Sequence, residues 1–269
     1  MNQRASLILQ AEGLSLERGG RKILNIKKLE FHKGIIYGLA GPAGSGKSSF
    51  LNVISGIEKP SAGTVLYDNK PFQSNWLGKP IQNPDIKIVG GNRLNGNGTG
   101  ESIVRNTFPE KVNEIHKKHF LKSRFGQLWT TRLGNMTHGE RAVLASILAV
   151  ESDPRVLIMD DYGIYMTTEQ ESDYRKNIKN MGQNLGTTII LASQSDHFLR
   201  QFVSVMIYLD KGHVSKIRSG TKKLGCETLC VNQANAESIE EIIQTSTNVV
   251  NIMSKRERSE ERRVGKECR

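Results

Sequence analysis

The sequence predicts an α/β fold: a mainly parallel sheet between helices, with an antiparallel edge sheet and a small helical insertion. Three observations carry the prediction. Short, unbroken apolar runs, "GIIYGLA" (34–40), "VLIMDD" (156–161), "TTIILAS" (187–193) and "SVMIYLD" (204–210), have the length and continuity of strands buried on both faces. Helical patterns such as "KSSFLNVISGI" and "TTEQESDYRKNIKNMGQ" stand between them, which is the alternation of a doubly wound sheet. Residues 93–138 break that rhythm, opening on "NRLNGNGTGES" and continuing as polar helical segments.

Taken in order, residues 7–17, 22–25 and 28–32 read as short antiparallel strands around the turn "RGGRK". The run 34–40 is a buried parallel strand. It feeds a glycine-rich turn and a helix in which Phe50, Leu51, Val53 and Ile54 make one apolar face. "TVLYDN" (64–69) is a strand after the turn "KPSAG", and "IKIVGG" (86–91) is a strand ending in glycines. No internal repeat is evident. The principal domain spans 1–219, with a helical subdomain at about 93–152. A C-terminal extension, 220–257, contains the helical "AESIEEIIQTSTNVVNIM". The last twelve residues, "RSEERRVGKECR" (258–269), resemble the in-frame translation of a sequencing-library adapter, with a natural charged tail as the alternative, and are set aside from the fold.

The chain has 269 residues, 37% hydrophobic and 24% charged, so it can bury a core and global disorder is excluded. No apolar run approaches the roughly 18 residues that span a bilayer, and the start "MNQRASLILQAEG" lacks the apolar region of a secretion signal. A cytosolic protein is the expectation. The formal charge is +11; the final segment holds five Lys/Arg against three Glu, which leaves +9. Such a charge can mean nucleic acid or the anionic inner face of a membrane; here it is scattered rather than interleaved with aromatics, which reads as an ordinary solvated basic surface and argues against nucleic acid as a partner. Outside the final segment the cysteines are Cys226 and Cys230, a pair without the second pair that a zinc site needs.

"GPAGSGKS" fits G-x-x-x-x-G-K-[ST] at Gly41, Gly46, Lys47 and Ser48. Glycines at Gly41, Gly44 and Gly46 let the backbone curl so that successive N–H groups face phosphate oxygens, and the following helix adds its positive end. Lys47 reaches the β- and γ-phosphates, and the Ser48 hydroxyl is a ligand for Mg²⁺. At ~7% glycine the bare pattern arises by chance in about one chain per hundred of this size. Here it follows a buried strand and opens an amphipathic helix, the context its mechanism requires. Asp160, at a neighbouring strand end, is the natural Mg²⁺ partner, and Asp161 follows where a general base would stand.

Between cradle and acids lies "MTHGERAVLASILAVESDPRVLIMDD" (136–161). It resembles the signature stretch of ATP-binding cassette (ABC) ATPases, usually close to LSGGQ, then a helix, then "DP", then the acidic strand. The resemblance covers about residues 7–219, including "GIEKPSAGTVLYDNKPF" and "MIYLDKGHVSKIRSG". It implies a P-loop NTPase fold of the ABC type that binds ATP and Mg²⁺. Gly41, Pro42, Ala43, Gly44, Ser45, Gly46, Lys47, Ser48 and Ser49 then form the phosphate loop. Met136, Thr137, His138, Gly139 and Glu140 take the signature, and Thr137, Gly139 and Glu140 would cap the γ-phosphate held by a second subunit. Several positions depart from the family. Its catalytic glutamate falls on Asp161, one methylene shorter, and its switch histidine on Gln194. Its D-loop aspartate falls on Thr167. The glutamine expected after "IKIV" meets Gly90, Gly91 and Asn92, with Asn92 as a stand-in metal ligand. The aromatic that stacks on adenine is replaced by Arg18, which could stack through its guanidinium plane.

The resemblance therefore implies Mg-ATP binding with slow hydrolysis, in a cytoplasmic subunit on the inner face of the membrane. Its partners would be a second such subunit and a transmembrane permease. Two alternatives stay open: a binding subunit with little turnover, as the degenerate half of a heterodimer, and a soluble cassette protein outside transport. Neither the transported substrate nor the direction of transport is written in the chain.

Overall fold

The computed structural model describes residues 6–90, 94, 96–121 and 123–220. Asn92, most of the 220–257 extension and the final twelve residues lie outside the described residues. The chain opens with β1 (Leu7–Arg18) and β2 (Arg21–His32), paired antiparallel across Gly19 and Gly20, both at positive φ. The expected break between 25 and 28 is absent. Ile26 and Leu29 both point inward, and the ladder runs on through Leu14–Ile26, Glu12–Lys28 and Ala11–Leu29. A continuous partner strand thus overrides the local "IKK" interruption, which by itself reads as a strand end.

The remaining elements are β3 (Ile36–Ala40), α1 (Lys47–Ile54), β4 (Ala62–Tyr67), β5 (Lys70–Pro71), β6 (Ile86–Val89), α2 (Gly100–Thr107), α3 (Val112–Ile115), α4 (His138–Glu151), β7 (Val156–Met159), α5 (Thr168–Asn184), β8 (Thr188–Ser193), β9 (Val205–Asp210) and β10 (His213–Ser219). They form two sheets. One has the order β2-β1-β4-β5 and is antiparallel; the other runs β10-β9-β3-β8-β7-β6 and is parallel except for β10. β10 carries little strand signal in its sequence. "HVSKIRS" is mostly exposed, so it shows little of the apolar signal that marked its neighbours.

Strand periodicity divides the core. Tyr37, Leu39, Ile158, Ile190 and Ala192 face the antiparallel sheet together with Phe50, Leu51 and Ile54 of α1. Their neighbours Ile36, Ala40, Leu157, Met159, Ile189 and Leu191 face the other way, onto α4 and α5. Alternate residues thus serve opposite layers, which explains why these strands are apolar throughout.

The helical insertion holds α2, α3, a wide turn at His116–Phe120, and single turns at Gly126–Trp129 and Leu133–Asn135. Its own core joins Val104, Ile115, Phe120 and Leu128 to Val143, Leu144 and Ile147 of α4, while Ala145 and Ala149 of that helix face the parallel sheet. α4 is therefore the shared wall between insertion and sheet. At its C-terminal end, buried Glu151 accepts hydrogen bonds from Lys118 Nζ and His119 Nε2, each at 2.7 Å. Above all the His119 contact, and then Lys118, holds the Glu151 carboxyl down from 4.5 to about 2, against the opposing effect of burial.

A carboxylate depressed in the folded state stabilises it above its unfolded pKa and stops doing so as pH falls through the folded one. The melting temperature is thus expected to drop between pH 4.5 and about 2. Glu151→Gln should flatten part of that drop. An identical pH profile in the variant, followed by far-UV circular dichroism, would count against this role of the pair.

Candidate functional site

The loop between β3 and α1 is shaped by close approaches as well as by its pattern. A Cβ at Gly41 would stand 2.2 Å from the Leu209 carbonyl oxygen, so only glycine lets the loop leave β3 beside β9. Gly44 and Gly46 hold φ of 77° and 95°, a region that costs other residues about 1–2 kcal/mol. Gly46 precedes the first turn of α1, and the Phe50 amide donates to its carbonyl at 2.8 Å. Ser45 is buried and Gly46 half-buried, whereas Pro42, Ala43, Gly44 and Ser48 are exposed along the open face of the loop, with Ser49 half-buried beside them.

Lys47 is 6% exposed and folds back into the loop. Its Nζ donates to the carbonyls of Gly41 (2.6 Å) and Pro42 (2.9 Å) and to Ser45 Oγ (3.3 Å). Burial lowers the pKa of this ammonium, while Asp160 and Asp161 nearby push it up. The loop is thus a glycine-rich turn closed around a buried cation, beside two carboxylates.

Those carboxylates sit just past β7. The Asp160 amide donates to the Val89 carbonyl at 2.8 Å, carrying the β6–β7 pairing one step beyond β7, and its side chain accepts from the Asp161 amide at 3.1 Å. Gly90 touches this turn: a Cβ there would lie 2.4 Å from the Asp160 carbonyl oxygen. The glycine found where the family pattern leads toward a glutamine is therefore required by backbone contact with the acidic turn. Asp161 takes φ of 55°, which Asp and Asn tolerate better than most side chains. Burial raises its pKa, Asp160 raises it further, and Lys47 acts against both.

The Asp160–Asp161 turn is anchored from behind. The Tyr162 amide donates to Ala192 of β8 at 2.7 Å, and its hydroxyl donates to Glu171 Oε1 at 2.8 Å. Glu171 is fully buried and pairs with Arg175 at 2.8 Å, one turn along α5. This network has no signature along the chain. A tyrosine after two aspartates carries no motif, and its partner lies nine residues on, inside a helix.

The other predicted residues divide. Thr137 caps α4: its hydroxyl accepts from the Glu140 amide at 3.2 Å while Glu140 accepts from the Thr137 amide at 2.8 Å, a reciprocal capping box. Gly139 packs against Tyr165, where a Cβ would stand 3.1 Å from that residue's Cβ. Gly139, Gly90, Asp160, Asp161 and Tyr165 line one cavity of about 20 Å³, room for little more than a water molecule. The start of α4 and the acidic turn thus meet within one chain, at a cavity too small for a nucleotide. Thr167 caps α5 with a second capping box, to Gln170. Gln194 is exposed in the turn after β8. Arg18, at the end of β1, makes a two-pronged pair with Glu58 (3.0 and 2.5 Å), the arrangement in which the structure holds its guanidinium.

A glycine-rich loop closing on a lysine between a central parallel strand and a helix, with an acidic strand end beside it, defines a P-loop nucleotide-binding protein. The family model described as "ABC transporter" matches residues 24–162, more than half of the chain. The chain belongs to the ABC transporter ATP-binding family and is an ABC-type ATPase cassette. It is 25% identical over 225 residues to the probable sulfate/thiosulfate import ATP-binding protein CysA of Chlorella vulgaris, covering 77% of this chain and 89% of that one. With the spermidine/putrescine import ATP-binding protein PotA of Bacillus thuringiensis it shares 22% identity over 229 residues, covering 80% of this chain and 66% of the relative.

Among solved structures, cbiO1 from Clostridium perfringens, part of the ABC transporter complex cbiONQ, superposes with a TM-score of 0.64 at 22% identity, covering 92% and 99% of the two chains. The dimeric ATP-binding cassette MJ0796 bound to ADP and Pi superposes with a TM-score of 0.66 at 18% identity, covering 79% and 98%. These likenesses establish the fold, an α/β P-loop NTPase of the ABC type.

Proposed function

We propose that this chain is the ATP-binding subunit of a membrane transporter, working as one of a pair of cassettes beneath a separate permease and hydrolysing ATP slowly. The observation that carries it is the loop Gly41–Ser49, complete in its glycines and with Lys47 drawn in beside Asp160 and Asp161. The carbonyl contacts of Lys47 are ones that β- and γ-phosphate oxygens would replace. Mg²⁺ fits the donor set. An ion held by one hydroxyl, one carboxylate and substrate phosphates needs no dedicated protein cage. Ser48 and Asp160 would be those ligands, with Asn92 a further candidate. The ion would offset phosphate charge as the γ-phosphoryl transfers to water. Asp161 would hold that water and take its proton, Gln194 would contact it from the β8 side, and Tyr162, through Glu171 and Arg175, would keep Asp161 in place.

The position of Thr137, Gly139 and Glu140 supports a second cassette. Thr137, Gly139 and Glu140 stand at the N-terminus of α4, where the helix presents its positive end, and the small cavity beside Gly139 has no room for ATP. An ATP held on the loop of another copy would meet this helix end. Arg18 would lie toward the adenine. No helix among the described residues is long and apolar enough to cross a membrane, so a permease would supply the span and the cassette would sit on its cytoplasmic face. A reading with little turnover is favoured by two particular residues, the short Asp161 at positive φ and the exposed Gln194. It would make this chain the binding half of an unequal pair.

Light scattering with Mg²⁺ and a non-hydrolysable ATP analogue tests the pairing. The mass should double on adding the analogue, and Gly139→Trp, with an unchanged circular dichroism spectrum, should stay monomeric. A wild-type mass indifferent to nucleotide would argue against a homodimeric sandwich.

A further inference from the structure

Between β5 and β6 the chain makes a small hairpin that the nucleotide site does not use. Its tip is built rigidly. The Asn75 amide donates to the Lys79 carbonyl at 2.8 Å, and the Asn75 side chain accepts from the Leu77 and Lys79 amides at 3.1 and 2.9 Å. Gly78 turns the tip at φ 72°, and the Ile81 amide ties the base to Gln73 at 2.7 Å. This ordered turn holds Trp76 91% exposed and Leu77 64% exposed, with Ile81 49% exposed on its shoulder. An indole so fully in water is unusual, because tryptophan is normally among the most buried residues on average.

Along the hairpin itself the charge has one sign; Asp68 and Asp85 stand with Lys70 at its base, where Lys33 and Arg155 pair with them. From Asn69 to Pro84 there is no Asp or Glu, while Lys70 and Lys79 fall within the stretch. The Lys59 ammonium comes alongside, 4.0 Å from where a Cβ on Gly78 would stand. Glu58, next to it in the chain, is held by Arg18. We propose that the Trp76–Leu77 tip is a lipid-contact element that enters the interface of an anionic bilayer while Lys59, Lys70 and Lys79 lie on the lipid headgroups. An amphipathic ring suits the headgroup boundary, with its apolar body toward the acyl chains and its N–H toward water. Lysines beside it are drawn to the negative surface potential. Because the hairpin is already ordered, little conformational freedom is lost on insertion. Two apolar side chains and a few lysines bind weakly alone, so the contact orients a protein held near the membrane by other means.

The chain has two tryptophans, and Trp129 is half-buried against Phe120 and His116. In a full-length Trp129→Phe protein, emission therefore reports Trp76 alone. Added vesicles of phosphatidylglycerol should shift that emission to the blue, and brominated phosphatidylglycerol should quench it. Raising salt from about 50 mM to about 500 mM should reverse the change, since screening shortens the reach of the lysines. Trp76→Ala in the wild-type background should lower vesicle co-sedimentation about tenfold. Emission that ignores phosphatidylglycerol vesicles at low salt, or responds equally to phosphatidylcholine, overturns the proposal. The assay needs neither nucleotide nor permease, so its outcome is separate from the nucleotide reading above.

Discussion

Lys47→Ala should abolish measurable Mg-ATP binding. In the folded chain this ammonium is already dehydrated and directed into the loop by two carbonyls and a hydroxyl. It meets phosphate without first losing its water, which makes each contact stronger than on an exposed lysine. Hydrogen bonds to charged groups are worth about 1.5–3 kcal/mol each, so losing contacts to both β- and γ-phosphates corresponds to an affinity loss of about 10²–10⁴-fold. Titration calorimetry reads the effect directly. A melting temperature measured without nucleotide separates lost binding from lost folding, because the Gly41 and Pro42 carbonyls also lose their partner. Unchanged affinity in a folded variant would sink the assignment of this loop as the nucleotide site.

The second large effect is expected at Asp161. Asp161→Asn keeps the size of the side chain and the tolerance for φ of 55°, and removes the negative charge together with the capacity to take a proton. Phosphate release under single turnover should fall by about 10²–10⁴-fold, the usual contribution of a general base. The pH dependence carries a second mark. Burial and Asp160 hold the carboxyl above its ordinary 3.8. Hydrolysis by the wild-type chain should therefore fade on acidification at a higher pH than an ordinary aspartate would give. A variant that releases phosphate at the wild-type rate would mean that Asp161 is not the base, and the reading with little turnover would stand in its place. Asp161→Glu is the less clean experiment: it lengthens the carboxylate, but asks glutamate to hold a positive φ that aspartate adopts more easily.

Much of this molecule is legible along the chain because its determinants are local. The phosphate loop needs particular residue types at fixed spacing, so Gly41, Gly46, Lys47 and Ser48 announce themselves. Strands β3, β7, β8 and β9 are buried on both faces, so their apolar runs are unbroken and easily read. The capping residues Thr137 and Thr167 precede their helices as the capping rule expects. Where the reading stopped short, the cause lay across the chain. β2 looked divided because its continuity comes from β1, and β10 shows little strand signal because its partner β9 supplies the ladder.

By itself, then, the sequence determined an α/β P-loop chain with a complete phosphate cradle, an acidic pair and an ordered set of family motifs, some of them altered. The tertiary structure alone decided how those pieces bear on one another. It turns Lys47 onto the Gly41 and Pro42 carbonyls and puts Asp161 at positive φ. It makes Gly90 a contact with Asp160, ties Tyr162 to a buried Glu171–Arg175 pair and leaves Trp76 in water at the tip of a rigid turn. The physical reason is range. Spacing along the chain specifies local backbone geometry, whereas burial, pKa and the close approach of distant segments depend on which surfaces the folded layers bring together.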